Sequence, residues 1–273
     1  MSFSAWRMTK TVVVEAAVTS QNPIAMTTSP ASAAIQTGAS NGRRRKLAYS
    51  LRMPQMIARP WVVLLAAGGA RRFGGPKQLA RIGRESLLRR AARVALASKP
   101  AGCVVVLGAH AARLRKELTG VPVKVVVNRK WRQGLASSLV TGIDALPRSA
   151  RSALVILADQ AALGPADLVL LAAASRARPG AIVATLAGDV LGPPAVLPRG
   201  LFRAVRRLRG DQGARELLRD PVRQVVAVEL PNAAIDVDRP ADVGRLKRET
   251  ARARTPRSAG SSQSRRPRSS RGT

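Results

Sequence analysis

Short apolar runs alternate with amphipathic stretches along the middle of the chain. The apolar runs are rich in Val, Leu and Ala, as buried strands of a parallel sheet are, and they occupy residues 62–65, 103–107, 123–127, 153–158, 181–186 and 225–228. Helical spacing of apolar residues fills several of the intervals, at residues 85–98, 111–118 and 165–174. Because helices that connect parallel strands cover both faces of the sheet, this order predicts a three-layer α/β/α fold with a mostly parallel central sheet.

The two ends of the chain lack this alternation. Residues 1–58 are rich in Ser, Thr, Ala, Asn and Gln, and residues 250–273 are mainly Ser, Arg and Pro. Segments of such composition bury too little apolar surface to offset the entropy of ordering them. We therefore expect a disordered basic extension at 1–58, a folded domain at 59–249 and a disordered tail at 250–273. Met53 or Met56 would be a natural start for the folded domain.

Composition narrows the classes of partner and compartment. With 47 Lys and Arg against 15 Asp and Glu among 273 residues, the net charge is +32, which favours anionic ligands. The basic ends contain almost no aromatic side chains that could stack on bases, so specific nucleic-acid recognition is not expected. The single cysteine, Cys103, leaves no disulfide within the chain and fits a reducing cytoplasm; its place in an apolar run favours a buried side chain. No apolar run approaches the roughly 18 residues of a membrane-spanning helix.

The first apolar run leads into a glycine-rich loop with cationic side chains. Residues 66–69, AAGG, follow the predicted strand directly, and Arg72 and Lys77 come a few residues later. Small residues let backbone N–H groups approach an anion closely, and Arg and Lys supply the opposing charge. The pattern therefore predicts a polyphosphate-binding loop. It contains neither the GxxxxGK[ST] run of a P-loop nor the G-x-G-x-x-G fingerprint of a dinucleotide site.

Polar side chains follow two other predicted strands, at the edge where ligands bind to parallel sheets. The amide of Asn128 is able to pair with the edge of a base or a ribose. Ser137 and Ser138 open the next helix, whose N-terminal N–H groups favour anions, although helix capping explains each serine equally well. Asp159 ends a buried strand, where a divalent cation bridging to a triphosphate would offset the cost of a buried charge; a turn or cap role is the alternative.

A second acidic pair lies near the end of the predicted domain. Asp236 and Asp238 stand two residues apart in an extended segment, so their side chains point the same way. Asp236 is the better candidate for a second metal contact alongside Asp159. Asp238 is expected to cap a helix that starts at Pro240. Further upstream, Asp211 is expected to cap the helix that follows it.

The glycine loop and the Asn128 segment resemble the MobA-like nucleotidyltransferase family, and within it most closely the molybdenum cofactor cytidylyltransferases. Residues 65–77, LAAGGARRFGGPK, resemble the signature LAAG-x-S-x-R-[MF]-G-x-x-K, with Ala70 where the family often has Ser. Residues 128–138, NRKWRQGLASS, resemble the family segment N-x-x-W-x-x-G-x-x-S-S. Trp131 in that segment is expected to be a packing anchor.

Later segments extend the resemblance over nearly all of residues 61–247. Asp159 and Gln160 match the start of the family's DQP, and Ala161 replaces its proline. The other three segments are 188–198, which resembles a G-x-P stretch lining the second substrate's pocket, 208–215, which resembles L-x-G-D-x-G-A-R, and 235–242, which resembles D-I-D-T-P-E-D.

The resemblance implies a Rossmann-like nucleotidyltransferase fold and an Mg²⁺-dependent transferase. Its substrates would be CTP and molybdenum-bearing molybdopterin, and its products the molybdopterin cytosine dinucleotide and pyrophosphate. Lys77, Arg72 and Asp159 would be catalytic, and Asp159 and Asp236 would bind the metal. The implied nucleotide-binding residues are Leu65, Ala66, Ala67, Gly68, Gly69, Gly74, Lys77, Asn128, Ser137 and Ser138. An enzyme of the xanthine-dehydrogenase or CO-dehydrogenase class would receive the cofactor.

Other functions remain open from the sequence. A related transferase could use GTP, or another acceptor such as a sugar phosphate or methylerythritol phosphate. An oxidoreductase is possible because some members of this group carry that name, although the chain lacks G-x-G-x-x-G and an acidic ribose partner about twenty residues beyond it. A non-catalytic molybdopterin carrier is the remaining alternative, and the presence of both Asp159 and Asp236 argues against it.

Overall fold

The computed structural model describes residues 58–69, 73–211, 213–218, 224–234, 241–242 and 244, together with the backbone of residues 11–14. Its strands are β1 (Thr11–Val14), β2 (Trp61–Ala66), β3 (Arg81–Ile82), β4 (Glu85–Ser86), β5 (Gly102–Leu107), β6 (Lys124–Val127), β7 (Ser152–Leu157), β8 (Ile182–Ala187), β9 (Val190–Pro198) and β10 (Val225–Glu229). Its helices are α1 (Leu87–Ala97), α2 (Ala111–Glu117), α3 (Leu135–Asp144), α4 (Pro165–Ala177), α5 (Phe202–Val205) and α6 (Ala214–Leu218). Single 3-10 turns occur at Lys77–Leu79, Trp131–Gln133, Arg199–Leu201 and Pro231–Ala234.

Eight strands form one sheet in the order β1-β10-β8-β9-β7-β2-β5-β6. Every neighbouring pair is parallel except those that involve β9, which runs antiparallel to both β7 and β8. The separate β3–β4 pair is a small antiparallel hairpin. The mostly parallel α/β sheet predicted from the apolar runs is therefore confirmed.

Helices cover both faces of the sheet, and alternate residues of β2 show how. Val62 and Leu64 point into a core that contains Leu88 of α1, Leu114 of α2 and Leu168 of α4. The intervening residues, Val63 and Leu65, point into a second core with side chains of α3, α5 and α6. All four of these β2 side chains are buried. This two-sided burial explains why the strand reads as a continuous apolar run instead of an alternating one.

Helix α1 begins two residues later than its periodicity predicts. The Ser86 hydroxyl accepts a hydrogen bond from the Arg89 N–H at 3.2 Å, as an N-cap residue does. Glu85 belongs to β4 and not to the helix. Its carboxylate accepts a hydrogen bond from the guanidinium of Arg93, in the second turn of α1. The cap therefore sets the boundary that apolar spacing alone leaves open.

Strand β9 was not predicted, because its sequence contains consecutive prolines inside the sheet. Pro193 and Pro194 lack the N–H that a ladder needs. The register between β8 and β9 shifts between Ala184 and Thr185, so both prolines fall in an irregularity of the ladder. The Thr185 hydroxyl donates to the carbonyl of Pro194 at 2.9 Å across this irregularity. A bulge thus accommodates residues that would otherwise argue against a central strand.

The ends of the chain contribute one described element. Strand β1 pairs in parallel with β10 at the edge of the sheet, although it lies within the segment expected to be disordered. The rest of residues 1–57 and residues 245–273 lie outside the described part, so the domain boundaries stay predictions. No helix in the described part of the chain is long and apolar enough to cross a membrane.

Candidate active site

A cleft of about 540 Å³ opens at the carboxyl ends of β2 and β7. Its walls come from the loop after β2, the turn that starts at Lys77, the segment that opens α3, the end of β7 and the loop before α6. The lining residues are Leu65, Ala66, Ala67, Gly68, Gly69, Lys77, Gln78, Trp131, Arg132, Gly134, Leu135, Ser138, Leu157, Ala158, Asp159 and Asp211. Ligands bind at this edge of open parallel sheets, so the cleft is the candidate active site.

An ion pair joins two walls of the cleft. Lys77 Nζ lies 2.6 Å from Asp159 Oδ2, and the two side chains are 17% and 20% exposed. The other carboxylate oxygen, Asp159 Oδ1, is buried and has no hydrogen-bond partner among the described residues. A carboxylate with one oxygen on a cation and the other unsatisfied is suited to an additional cationic ligand.

Asp159 does not belong to a cluster of metal-binding side chains in the described part of the chain. Within the described residues, no group of three or more His, Cys, Asp and Glu side chains is placed to bind a metal. Mg²⁺ commonly takes one or two carboxylates and completes its octahedron with water and substrate phosphates. The donor set at Asp159 fits that mode of binding, in which a bound polyphosphate supplies oxygens.

The glycine loop is held from the protein side through its carbonyl groups. Gln78, which is only 4% exposed, donates from Nε2 to the Gly68 carbonyl at 2.8 Å and to the Ala66 carbonyl at 3.4 Å. The Ala109 N–H donates to the Ala67 carbonyl at 3.0 Å. Among the described residues, no acceptor binds the N–H groups of Gly68 and Gly69. These N–H groups are therefore available to an anion in the cleft.

Trp131 packs against this loop, as expected of a packing anchor. A Cβ built on Gly69 would lie 3.2 Å from Trp131 Cζ3, and one on Gly108 would lie 2.7 Å from Trp131 Cβ. The guanidinium carbon of Arg132 stands 4.6 Å from the centre of the Trp131 ring, within the range of a cation–π contact. Trp131 therefore requires small residues on both loops, and its ring lies against Arg132, which lines the cleft.

The side-chain amide of Asn128 organises the opening of α3. Its Nδ2 donates to the hydroxyls of Ser137 at 2.8 Å and Ser138 at 3.0 Å, and its Oδ1 accepts from the Lys130 N–H at 2.8 Å. Asn128 is 4% exposed and, like Ser137, lines a neighbouring pocket of about 450 Å³ instead of the cleft. Ser138 alone of these three lines the cleft.

The structure thus assembles most of the predicted site residues around one cavity. Residues 65–69, Lys77, Ser138 and Asp159 line the cleft, whereas Gly74, Asn128 and Ser137 do not. Arg72 and Asp236 lie outside the described residues, and their roles stay predictions.

Gln160 supports the end of β7 beside the cleft, a role that the sequence did not predict. It is 6% exposed, and its Oε1 accepts from the Leu157 N–H at 3.2 Å. Its Nε2 donates to the carbonyls of Pro193 at 2.8 Å and Ala233 at 3.4 Å. One amide therefore ties the end of β7, beside Asp159, to β9 and to the turn that precedes Asp236 in the sequence. Its position directly after Asp159 was the available signal.

Gln78 and Asp211 were not predicted to belong to the site, since no role was predicted for Gln78 and only that of a helix cap for Asp211. Gln78 follows Lys77 directly, and its side chain supports the loop. The hydrogen bond expected if Asp211 capped α6 is absent from the described residues. Asp211 lines the cleft instead.

Comparison with known proteins places these features in a family. The sequence profile of the MobA-like NTP transferase domain matches residues 62–227. Nicotine blue oxidoreductase of Paenarthrobacter nicotinovorans is 35% identical over 166 residues, which cover 58% of this chain and 80% of that protein. The 2-C-methyl-D-erythritol 4-phosphate cytidylyltransferase of Stenotrophomonas maltophilia strain R551-3 is 38% identical over 145 residues, which cover 50% of this chain and 61% of that enzyme.

A solved structure shares the fold. Rv0371c of Mycobacterium tuberculosis H37Rv, in its complex with manganese, superposes with a TM-score of 0.60 at 25% identity, covering 70% of this chain and 99% of that one. The matched profile extends over more than half of the chain, from β2 to β10, and includes the loop, Lys77 and Asp159. The chain belongs to the MobA-like NTP transferase domain family.

Proposed function

We propose that this protein is a cytidylyltransferase that moves CMP from CTP to the terminal phosphate of molybdenum-bearing molybdopterin. The observation that carries the proposal is the contact between Lys77 and Asp159 beside the glycine loop. A fixed ammonium, a carboxylate with an unsatisfied oxygen and free backbone N–H groups are the parts that nucleotidyl transfer needs. Family membership supports the reaction type, and the cytidylyltransferase from Stenotrophomonas maltophilia supports CTP as the donor.

In the transfer, an oxygen of the acceptor phosphate forms a bond to the α-phosphorus of CTP. The bond from the α-phosphorus to the oxygen that bridges to the β-phosphate breaks, and its electron pair leaves with pyrophosphate. No covalent intermediate with the protein is required, so catalysis rests on positioning and on neutralising charge.

The chain's own residues would perform these tasks from the walls of the cleft. The N–H groups of Gly68 and Gly69 donate to phosphate oxygens of the nucleotide. An ammonium has three N–H donors, so Lys77 is able to contact Asp159 and a phosphate oxygen together. Arg72, which follows the loop in the sequence, would add charge to the departing pyrophosphate.

Asp159 and Asp236 would hold Mg²⁺, which neutralises the phosphates and orients the in-line attack when it is bound. The unsatisfied Oδ1 of Asp159 supports the first contact. The manganese complex of Rv0371c supports a divalent ion in this fold.

The test is pyrophosphate release by the purified protein with Mg²⁺ and molybdenum-loaded molybdopterin, comparing CTP, GTP and ATP. Release with CTP alone establishes the proposal. Release with GTP alone keeps the chemistry and moves the donor to the guanylyl class. No release from folded protein with any of the three nucleotides contradicts the proposed transfer to molybdopterin and favours a different acceptor or a non-catalytic carrier.

An oxidoreductase is the second candidate, because nicotine blue oxidoreductase matches over 80% of its length. The arrangement after β2 speaks against a dinucleotide site. In that site a helix opens directly after the first glycine turn and its N-terminus binds pyrophosphate. Here residues 73–86 contain a 3-10 turn and the β3–β4 hairpin, and α1 begins only at Leu87. Oxidation of NADPH or NADH by the purified protein, with pyrophosphate release absent, would favour this second candidate.

A further inference from the structure

Asp211 is a carboxylate in a cleft that is otherwise suited to a polyanion. Asp159 and Asp211 are the acidic side chains among the described lining residues. Asp159 is paired with Lys77. Asp211 is exposed, and no described group donates a hydrogen bond to it or forms an ion pair with it. Because an ionised carboxylate only accepts hydrogen bonds and repels phosphate, the part of a ligand that Asp211 would bind is a hydrogen-bond donor.

Glycines hold Asp211 against the start of α3. Gly134 has φ of +95°, and a Cβ there would lie 2.2 Å from the Gly210 carbonyl oxygen and 2.7 Å from Asp211 Oδ1. The Ala136 N–H donates to the Gly210 carbonyl at 3.0 Å. A Cβ on Gly213, on the other side of the acid, would lie 2.7 Å from Leu135 Cδ2. The loop that contains Asp211 therefore packs closely against the opening of α3, and the Asp211 carboxylate is held at one wall of the cleft.

That wall differs from the one that carries the phosphate-binding groups. The phosphate-binding wall comes from the turns after β2 and β7, which carry the glycine loop, Lys77 and Asp159. Asp211 lies in the loop between α5 and α6, and this loop packs against Gly134 in the segment that follows β6. Both walls line the same cleft of about 540 Å³, so a nucleotide whose phosphates lie on the glycine loop and Lys77 could place its nucleoside against this second wall. Ser138, which also lines the cleft there, offers a hydroxyl that either donates or accepts.

We propose that Asp211 is a specificity-determining residue that accepts a hydrogen bond from the amino group of the nucleotide base. The inference rests on the proposed nucleotidyl transfer and deepens it by assigning base selection to a carboxylate. Cytosine presents a 4-amino donor where uracil presents a carbonyl oxygen. A carboxylate therefore accepts a hydrogen bond from the 4-amino group of cytosine. It repels the carbonyl oxygen of uracil, because two hydrogen-bond acceptors would then face each other.

The test measures nucleotide binding without an acceptor substrate, by calorimetric titration of Mg·CTP and Mg·UTP. The wild-type protein should bind CTP about 10- to 100-fold more tightly than UTP, as expected for a hydrogen bond to a charged group. In Asp211→Asn the amide is able to rotate and donate to uracil, so this ratio should fall to within about threefold of unity. In Asp211→Ala the ratio should fall as well, through weaker binding of CTP. Asp144→Asn is the matched control, because Asp144 is an exposed acid at the far end of α3, and its ratio should equal that of wild type.

A ratio in Asp211→Asn equal to the wild-type ratio overturns the assignment while CTP binding and pyrophosphate release persist. The assignment is also overturned if Asp211→Asn keeps the wild-type ratio of CTP to UTP affinity but loses the preference for CTP over 2′-deoxy-CTP. In that case the carboxylate binds the ribose and not the base. Failure of the wild-type protein to bind any nucleotide overturns the transferase proposal and this inference together, so the two failures are distinguishable.

Discussion

Lys77 Nζ contacts Asp159 Oδ2 at 2.6 Å, across 82 positions of sequence and between the turns that follow β2 and β7. Because β2 and β7 are neighbouring parallel strands, their carboxyl ends bring the cation and the carboxylate to one edge. Within the part of the chain that the structure describes, the second carboxylate oxygen of Asp159 has no hydrogen-bond partner. Several measurable consequences depend on this geometry.

Replacing Lys77 should slow the chemical step more than it weakens binding. In Lys77→Ala we expect kcat for pyrophosphate release to fall about 10²- to 10³-fold, which is typical of losing one preorganised donor to the transition state. Lys124→Ala is the control, since Lys124 is exposed on the edge strand β6 and its ammonium binds the Ala145 carbonyl. Wild-type kcat in Lys77→Ala would contradict the role given to this ammonium.

Replacing Asp159 should change the dependence on the divalent ion. Asp159→Asn keeps the size of the side chain and removes the charge, so the Mg²⁺ concentration at half-maximal activity should rise at least about tenfold. The measurement is activity across a Mg²⁺ titration, repeated with Mn²⁺. If Asp159→Asn stays active and its Mg²⁺ concentration at half-maximal activity equals that of wild type, Asp159 does not bind the metal.

Gln160 should act as a positioning residue that also contributes to stability. Gln160→Ala leaves three backbone groups without their partner, so the free energy of unfolding should fall by about 1–3 kcal/mol. The requirement for Mg²⁺ should rise as well, because Asp159 adjoins the broken contact. Chemical denaturation and the Mg²⁺ titration check both effects, with Gln224→Ala, at an exposed position, as control. A loss of stability without a change in the Mg²⁺ requirement would leave Gln160 a purely structural role.

The close approach at Gly134 should tolerate no side chain. Gly134→Ala combines a positive φ with a 2.2 Å contact to the Gly210 carbonyl, so we expect destabilisation by more than about 2 kcal/mol and weaker nucleotide binding. Gly180→Ala isolates the backbone cost, because Gly180 has φ of +88° and open space at its Cβ position. It should cost only about 1 kcal/mol. Equal effects of the two substitutions would contradict a steric clamp at Gly134.

Cys103 should add an alkaline limit to stability. Burial raises the pKa of this thiol to about 12 from its usual 9.0, so the folded state keeps the proton that the unfolded state releases. The contribution of the protonated thiol to the free energy of unfolding is therefore fully present below pH 9. It is lost as the pH rises from 9 toward 12, by up to about 1.4 kcal/mol for each pH unit. Urea unfolding at pH 8, 9.5 and 10.5 should show a steeper decline in wild type than in Cys103→Ala. Parallel declines would show that the thiol ionises without unfolding.

The sequence by itself determined the layered fold and the phosphate-binding end of the site. Buried parallel strands need apolar residues on both faces, so β2, β5, β7 and β8 are legible as continuous runs within a residue or two of their observed bounds. Small residues and a lysine at fixed spacing after a strand are local requirements of anion binding. The glycine loop, Lys77 and Asp159 could accordingly be recognised before any contact was known.

Only the tertiary structure decided how distant segments meet. Strand β9 was hidden by its prolines, which fit because a register shift in the partner strand removes the need for their N–H groups. Asn128 was chosen for its amide, yet that amide is consumed by Ser137, Ser138 and Lys130. Asp211 is positioned by packing of its loop against the start of α3, and Gln160 by hydrogen bonds to the carbonyls of Pro193 and Ala233. Both sets of contacts join segments that are far apart in the chain. Local composition and periodicity describe what one segment requires, whereas which buried donors meet which acceptors depends on contacts that no single segment contains.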